Sequence, residues 1–136
     1  MRHYINYDGK ELTIHFSEEN TFACDYDSFI SKNKSNKTIE ALEETELYVI
    51  SFNDLQLFYK NVQYGDRFGR LLLEEIFTSA IRHIISVHTD TAEQRYLNFL
   101  YSFKHLQQRI PQFYIASFIG VTPQSLSRIR RRLVHN

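Results

Sequence analysis

The chain contains a single cysteine, Cys24, among its 136 residues. One thiol excludes an internal disulfide framework and any cysteine-rich zinc or iron–sulfur site. No apolar run approaches the ~18 residues that a membrane span needs. Residues 1–9 lack the apolar core of a secretory signal peptide. We therefore expect a cytoplasmic protein with no membrane partner.

The sequence also lacks the motifs of enzymes and metal proteins. It contains no G-x-S-x-G, no P-loop and no G-x-G-x-x-G. The six histidines form no i, i+4 pair with a carboxylate partner, and Glu43, Glu44 and Glu46 fall on a predicted exposed turn. We therefore expect no catalytic residue, no metal and no cofactor.

Acidic residues are missing from the last third of the chain, because none follows Glu93. Residues 1–52 carry a net charge of −5 and residues 53–136 a net charge of +5, so the overall charge of zero hides a strong asymmetry. A basic end favours an anionic partner, such as nucleic acid or an anionic membrane surface. The seven cations after Glu93 are Arg95, Lys104, Arg109, Arg128, Arg130, Arg131 and Arg132.

The first part of the chain has the alternating pattern of strands, and Asp8-Gly9 predicts a tight hairpin turn. The second part has helical spacing of apolar residues. The predicted strands are 3–7, 11–16, 21–23, 38–42 and 47–52, with an exposed loop at 31–37. The predicted helices are 54–61 after Asn53, 64–88, 91–106 after a cap at Thr89 or Asp90, 112–119 and 122–133. The fold class is therefore α+β.

The helix predicted over 64–88 carries two apolar stripes and would span ~37 Å, more than such a small core needs. One interpretation is a helix buried on one broad face. We favour the other, in which one stripe faces the core and one faces a partner helix. The first stripe, predicted to mediate dimerisation, is Phe68, Leu72, Ile76, Ser79 and His83. The second is Leu73, Phe77, Ala80, Ile84 and Val87.

The stretch from Ile115 to Arg131 has the pattern of a helix-turn-helix. Gly120 suits the left-handed conformation that ends a helix, while Thr122 and Pro123 suit the N-cap and first position of the next helix. Ala116 is small where two helices would meet. An ordinary helical hairpin with a solvated charged face is the alternative. The cations at 128–132 adjoin this pattern, which favours nucleic acid over a membrane surface.

Residues 91–133 closely resemble the DNA-binding half of Crp/Fnr-type transcription regulators. Upstream, YDGKELTIHF, TFACDYDSF and TIEALEETELYVI resemble the later strands of a cyclic-nucleotide-binding β-roll. The resemblance implies three domains: a partial β-roll (1–62), a long dimerisation helix (63–89) and a helix-turn-helix domain whose wing is absent or rudimentary (90–136). It also implies a homodimer that binds a two-fold DNA site and regulates transcription.

By position, Arg128 matches the family's arginine that reads guanine, and Gln124 is the second expected base reader, with a preference for adenine. Thr122 and Ser125 would hold phosphates or water. The full expected DNA-binding set is Thr122, Pro123, Gln124, Ser125, Ser127, Arg128, Arg130, Arg131 and Arg132. A truncated regulatory protein that pairs with a full-length relative is the alternative function.

The nucleotide-binding cassette of the family is degenerate here. Its Gly-Glu pair falls on Cys24-Asp25, and its arginine falls near Ser35, followed by Asn36 and Lys37. Without an arginine fork and a glycine, a cyclic phosphate lacks both its bidentate partner and its close approach. We therefore expect no dependence on cyclic AMP, and either an unidentified small ligand or none at the β-roll.

Overall fold

Over residues 1–135 the protein is α+β, with one small antiparallel sheet and six helices. The computed structural model describes residues 1–135 apart from the side chain of His135, so Asn136, the last residue of the predicted DNA-binding domain, lies outside the described part. The elements are β1 (Arg2–Tyr7), β2 (Lys10–Phe16), α1 (Tyr26–Ser31), β3 (Lys37–Glu40), α2 (Phe52–Asn61), α3 (Gly65–Thr89), α4 (Ala92–Ser102), α5 (Gln112–Phe118) and α6 (Pro123–His135).

The hairpin predicted at Asp8-Gly9 is confirmed. Both residues have positive φ angles, 50° and 71°, as a type I′ turn requires. Strand β1 lies in the middle of the sheet and pairs antiparallel with β2 on one side and β3 on the other. The sheet therefore has three strands, with β2 and β3 as its edges.

Two predicted strands are wrong. Residues 21–23 and 47–51 have no strand partner, and Phe52 already belongs to α2. The side chains of Tyr48 and Val49 are 98% and 91% exposed, so the middle of this apolar run is open to solvent. A strand forms only where a neighbour supplies hydrogen bonds, and the pattern of one segment does not reveal that neighbour. The helix α1 was not predicted, because six residues are too few to show a period.

The later helices are confirmed, with shifts at their ends. Helix α2 begins two residues before the prediction, because Ser51 rather than Asn53 is its N-cap and its Oγ accepts from the Asp54 amide at 3.1 Å. Thr91 is the N-cap of α4, so the predicted cap at Thr89 or Asp90 is wrong. Helix α4 also ends at Ser102, four residues before the prediction. Serine, threonine and asparagine cap helices about equally well, so neighbouring candidates compete.

The core crosses the boundary predicted between residues 1–62 and 90–136. Phe16, at the end of β2, is 1% exposed and its ring centroid lies 5.4 Å from that of Phe118 and 6.1 Å from that of Phe99. The sheet therefore contributes to the same core as the last three helices. The buried apolar residues of this core are Phe16, Tyr96, Phe99, Leu106, Ile110, Ile115, Ala116, Ile119, Leu126 and Ile129.

The sheet is attached to α5 by polar contacts as well. The Thr13 amide donates to Ser117 Oγ at 2.9 Å. Arg2 is 1% exposed, donates to Glu11 at 2.7 Å, and places its guanidinium 3.7 Å from the ring centroid of Tyr114. A buried cation needs such partners, because an unpaired one would lose its hydration without compensation.

Helix α3 is largely uncovered, and within it only Gly65 and Gly69 are buried. These glycines let α2 approach, since a Cβ at Gly69 would lie 2.6 Å from Cε1 of Tyr59. Eight large apolar side chains of α3 are between 40% and 69% exposed: Phe68, Leu71, Ile76, Phe77, Ile81, Ile84, Ile85 and Val87. Across residues 1–135, no helix combines the length and the apolar character that a bilayer crossing requires.

Candidate nucleic-acid interface

The turn between α5 and α6 is a Schellman motif built on Gly120. Its φ angle is 72°, its amide donates to the Ser117 carbonyl at 3.2 Å, and the Val121 amide donates to the Ala116 carbonyl at 2.9 Å. These two bonds satisfy carbonyls that the end of α5 would otherwise leave unpaired. Ala116 is fully buried, which confirms the close approach predicted for it. The turn thereby fixes where α6 begins.

Thr122 and Ser125 stabilise the start of α6. The Ser125 amide donates to Thr122 Oγ1 at 3.2 Å, and the two hydroxyls are 3.0 Å apart. Pro123 occupies the first helical position, where its missing N–H costs nothing. Thr122 therefore caps α6, and the hydroxyls of Thr122 and Ser125, predicted to hold phosphate or water, are already hydrogen-bonded to each other.

Helix α6 has one buried face and one exposed polar face. Leu126 and Ile129 are 0% and 4% exposed and anchor the helix on the core. At 3.6 residues per turn, the opposite side carries Gln124, Ser127, Arg128 and Arg131. These four residues, with Pro123, line one shallow open surface. The exposed face therefore offers an amide, a hydroxyl and two guanidinium groups side by side.

The two remaining arginines of α6 flank this face. Arg130 is exposed and forms no ion pair within residues 1–135. Arg132 lies 3.5 Å from Glu93 at the start of α4. The structure therefore separates the four arginines of α6 into two on the exposed face, one free on its edge and one next to a carboxylate.

Two other cations of the basic end are engaged within the protein. Arg109 binds the carboxylates of both Glu19, at 2.5 Å, and Glu43. The Arg109 guanidinium lowers the pKa of Glu19 to about 2. Arg95 donates to two backbone carbonyls. Sequence reasoning missed both roles, because their partners lie far away in the chain or on the backbone. The surplus positive charge thereby concentrates on α6.

Three residues of the degenerate nucleotide-binding cassette lie together, with Ser35 and Lys37 both bound to the carboxylate of Asp25. Asp25 accepts from Lys37 Nζ at 2.5 Å and from Ser35 Oγ at 2.6 Å. The pKa of Asp25 is lowered, first by Lys37 and then by Ser35. The cation and hydroxyl that would have to hold a phosphate are thus already bound to Asp25. Asn36 and Cys24 are both exposed.

Neither the Cys24 thiol nor the potential metal ligands of residues 1–135 form a reactive or metal-binding arrangement. Partial desolvation and the neighbouring Asp25 raise the pKa of the Cys24 thiol, which disfavours a reactive thiolate. Over residues 1–135, no three His, Cys, Asp or Glu side chains are arranged to hold a metal ion.

The predicted dimerisation stripe faces its own chain at both ends of α3. The Phe68 ring centroid lies 5.8 Å from that of Phe58, and His83 stacks on Phe118 at 5.1 Å. Leu72 is half-buried, while Ile76 and Ser79 are exposed. In the second stripe Leu73 is half-buried, but Phe77, Ile84 and Val87 are more open, at 69%, 54% and 50% exposure. Of the two stripes, the second is therefore the better placed for a partner.

Comparison with protein-family models, with curated proteins and with solved structures finds no match to this chain.

Proposed function

We propose that the protein is a sequence-specific DNA-binding transcription regulator of Crp/Fnr type. The observation that carries the proposal is the exposed face of α6, where Gln124, Ser127, Arg128 and Arg131 lie opposite the buried Leu126 and Ile129. An α-helix fits the major groove, and the capped turn that fixes the start of α6 supports a role for α6 as a recognition helix.

The side chains of this face suit distinct DNA contacts. Arg128 has the planar fork that pairs with both acceptors of guanine, and Gln124, near the start of the helix, suits adenine. Arg131 and Arg130, further along, suit phosphates, which contribute affinity and position but no base preference. The capping hydroxyl of Thr122, with the Ser125 hydroxyl bonded to it, supports α6 instead of reading bases.

A homodimer follows from the second stripe of α3. Leu73, Phe77, Ala80, Ile84 and Val87 alternate in steps of four and three residues, which is the spacing of a coiled-coil seam. Ile76 and Ile81 flank the seam and are 49% and 40% exposed. Two copies paired along this seam bury apolar surface that one chain leaves open, and they supply one α6 per half-site.

The regulator acts without cyclic AMP in this proposal. The Asp25 carboxylate occupies Lys37 and Ser35, and a phosphate at the same place would meet that negative charge. The exposed seam on α3 also supports the alternative function, a partner of a longer relative that modulates its DNA binding. The two readings separate experimentally, because only a homodimer of this chain selects a two-fold site when it is tested alone.

The experiment is selection from random duplex DNA by the purified chain at ~150 mM salt, with wild type and Arg128→Ala in parallel. We expect wild type to enrich a two-fold site with a fixed spacing. Arg128→Ala should lose preference at one base pair per half-site, by about 1–3 kcal/mol. Enrichment of no sequence by wild type would contradict the proposal, and salt-sensitive binding identical in both proteins would do the same.

A further inference from the structure

A single arginine side chain, Arg95, joins the ends of two helices that belong to different functional parts. Its Nη1 donates to the Asp90 carbonyl at 2.7 Å, at the C-terminal end of α3. Its Nε donates to the Ile119 carbonyl at 2.8 Å, at the C-terminal end of α5. Both carbonyls lie where a helix dipole is negative and where no intrahelical donor remains. A guanidinium is therefore well suited to hold both ends.

A second connection lies beside the first. The Asp90 carboxylate accepts from Asn98 Nδ2 at 2.9 Å and from Ser86 Oγ at 2.6 Å. The hydrogen bond from Asn98 to Asp90 connects α4 with the end of α3, and it lies on the solvent side because Asn98 is exposed. The stack of His83 on Phe118 adds a contact between α3 and α5 about two turns before Asp90. Arg95 and the His83 stack thus connect α3 with α5, and Asn98 connects α3 with α4.

We propose that Arg95 is a positioning residue that sets the angle between the dimerisation helix α3 and the recognition helix α6. The Ile119 carbonyl is adjacent to Gly120, so the residue that Arg95 holds is the one from which the turn to α6 starts. In a dimer paired along α3, the two α6 helices then have one fixed separation. The consequence is discrimination between half-site spacings, and this inference rests on the proposed function.

Arg95 acts on spacing and not on base identity, because it touches only backbone carbonyls within the protein. The test therefore compares a single half-site with two half-sites whose spacing is varied one base pair at a time. The proteins are wild type, Arg95→Ala, Arg95→Lys, Asn98→Ala and the control Lys104→Ala, which removes a cation from the same basic end without touching the junction.

We expect wild type to prefer one spacing over its neighbours by about tenfold or more, and Arg95→Ala to reduce this preference to about threefold or less. Base preference on the single half-site should stay within about twofold of wild type in every variant. Arg95→Lys should restore part of the spacing preference, because an ammonium keeps the charge but lacks the fork. Asn98→Ala should weaken it through an exposed position that does not threaten folding.

Amide hydrogen exchange gives a readout that needs no DNA. In Arg95→Ala the amides of residues 86–95 and 117–121 should exchange at least about tenfold faster together, while those of β1 and β2 stay unchanged. Unchanged exchange in Arg95→Ala, or a sharp spacing preference retained by both Arg95→Ala and Asn98→Ala, overturns the inference. Base preference in wild type without any spacing preference also overturns it and leaves the proposed function standing. Absence of base preference in wild type contradicts the proposed function instead.

Discussion

Truncating Phe16 tests whether the N-terminal sheet belongs to the core of the helix-turn-helix. The ring is 1% exposed and contacts three other rings at centroid distances of 5.4 to 6.1 Å, those of Phe99, Phe103 and Phe118. Removing a buried phenyl group loses its transfer free energy and leaves a cavity, together about 3–5 kcal/mol. Phe16→Ala should therefore lower the free energy of unfolding by about that amount.

The assay is urea denaturation followed by circular dichroism at one fixed protein concentration, since the proposed dimerisation would make the midpoint depend on concentration. With a slope of about 2 kcal/mol per molar urea, the midpoint should fall by roughly 2 M. Tyr101→Ala is the matched control, because its aromatic ring is 90% exposed and its loss should cost less than about 1 kcal/mol. A loss in Phe16→Ala no larger than that of Tyr101→Ala would refute the shared core.

Two further predictions concern the sheet and α3. His3 is 5% exposed, and burial and the nearby His15 lower its pKa to about 4. As the pH falls, the His3 imidazole is therefore protonated in the unfolded chain before it is protonated in the folded protein. Stability should be full above pH 6.5 and fall by up to about 3 kcal/mol as the pH drops to 4, and His3→Gln should flatten this slope in denaturation at several pH values. On α3, Phe77→Asp should convert the proposed dimer to monomer in sedimentation, whereas Thr78→Asp on the polar side should not. A dimer that survives Phe77→Asp would place the seam elsewhere.

The structural elements that could be predicted from the sequence are those determined by residues next to one another in the chain. Asp8-Gly9 specifies its hairpin, and Gly120-Val121-Thr122-Pro123 specifies both the end of α5 and the start of α6. The helical period of the apolar residues in α3 could also be recognised, because 25 residues repeat the same spacing many times. Each of these signals acts within one turn or one helix, so no distant partner was needed to interpret it.

The parts that could not be predicted depend on partners far away in the chain. Arg109 pairs with Glu43 and Glu19, 66 and 90 residues away, and nothing local to Arg109 reveals either carboxylate. Phe16 ends an ordinary alternating strand, and only the fold shows that its ring enters the last helices. The role of Arg95 was hidden for a different reason, since backbone carbonyls carry no signature in the sequence.

The same limit applies to the two stripes of α3. Both have helical spacing, and sequence alone could not decide which of them faces the chain. The decision depends on the contact of Phe58 in α2 with Phe68 and on the stack of His83 with Phe118. Packing partners therefore determine the free face of a helix that its own pattern leaves ambiguous.

The most direct test of the central claim compares two arginines of α6 on one DNA site, across a series of salt concentrations. Arg128 lies on the exposed face and Arg130 on its edge, so Arg128→Ala and Arg130→Ala remove the same charge from the same helix. We expect Arg130→Ala to weaken binding to all sequences alike and to reduce the salt slope by about 1. Arg128→Ala should lose discrimination at one base pair per half-site. Equal effects of the two substitutions on every sequence would contradict base readout by α6.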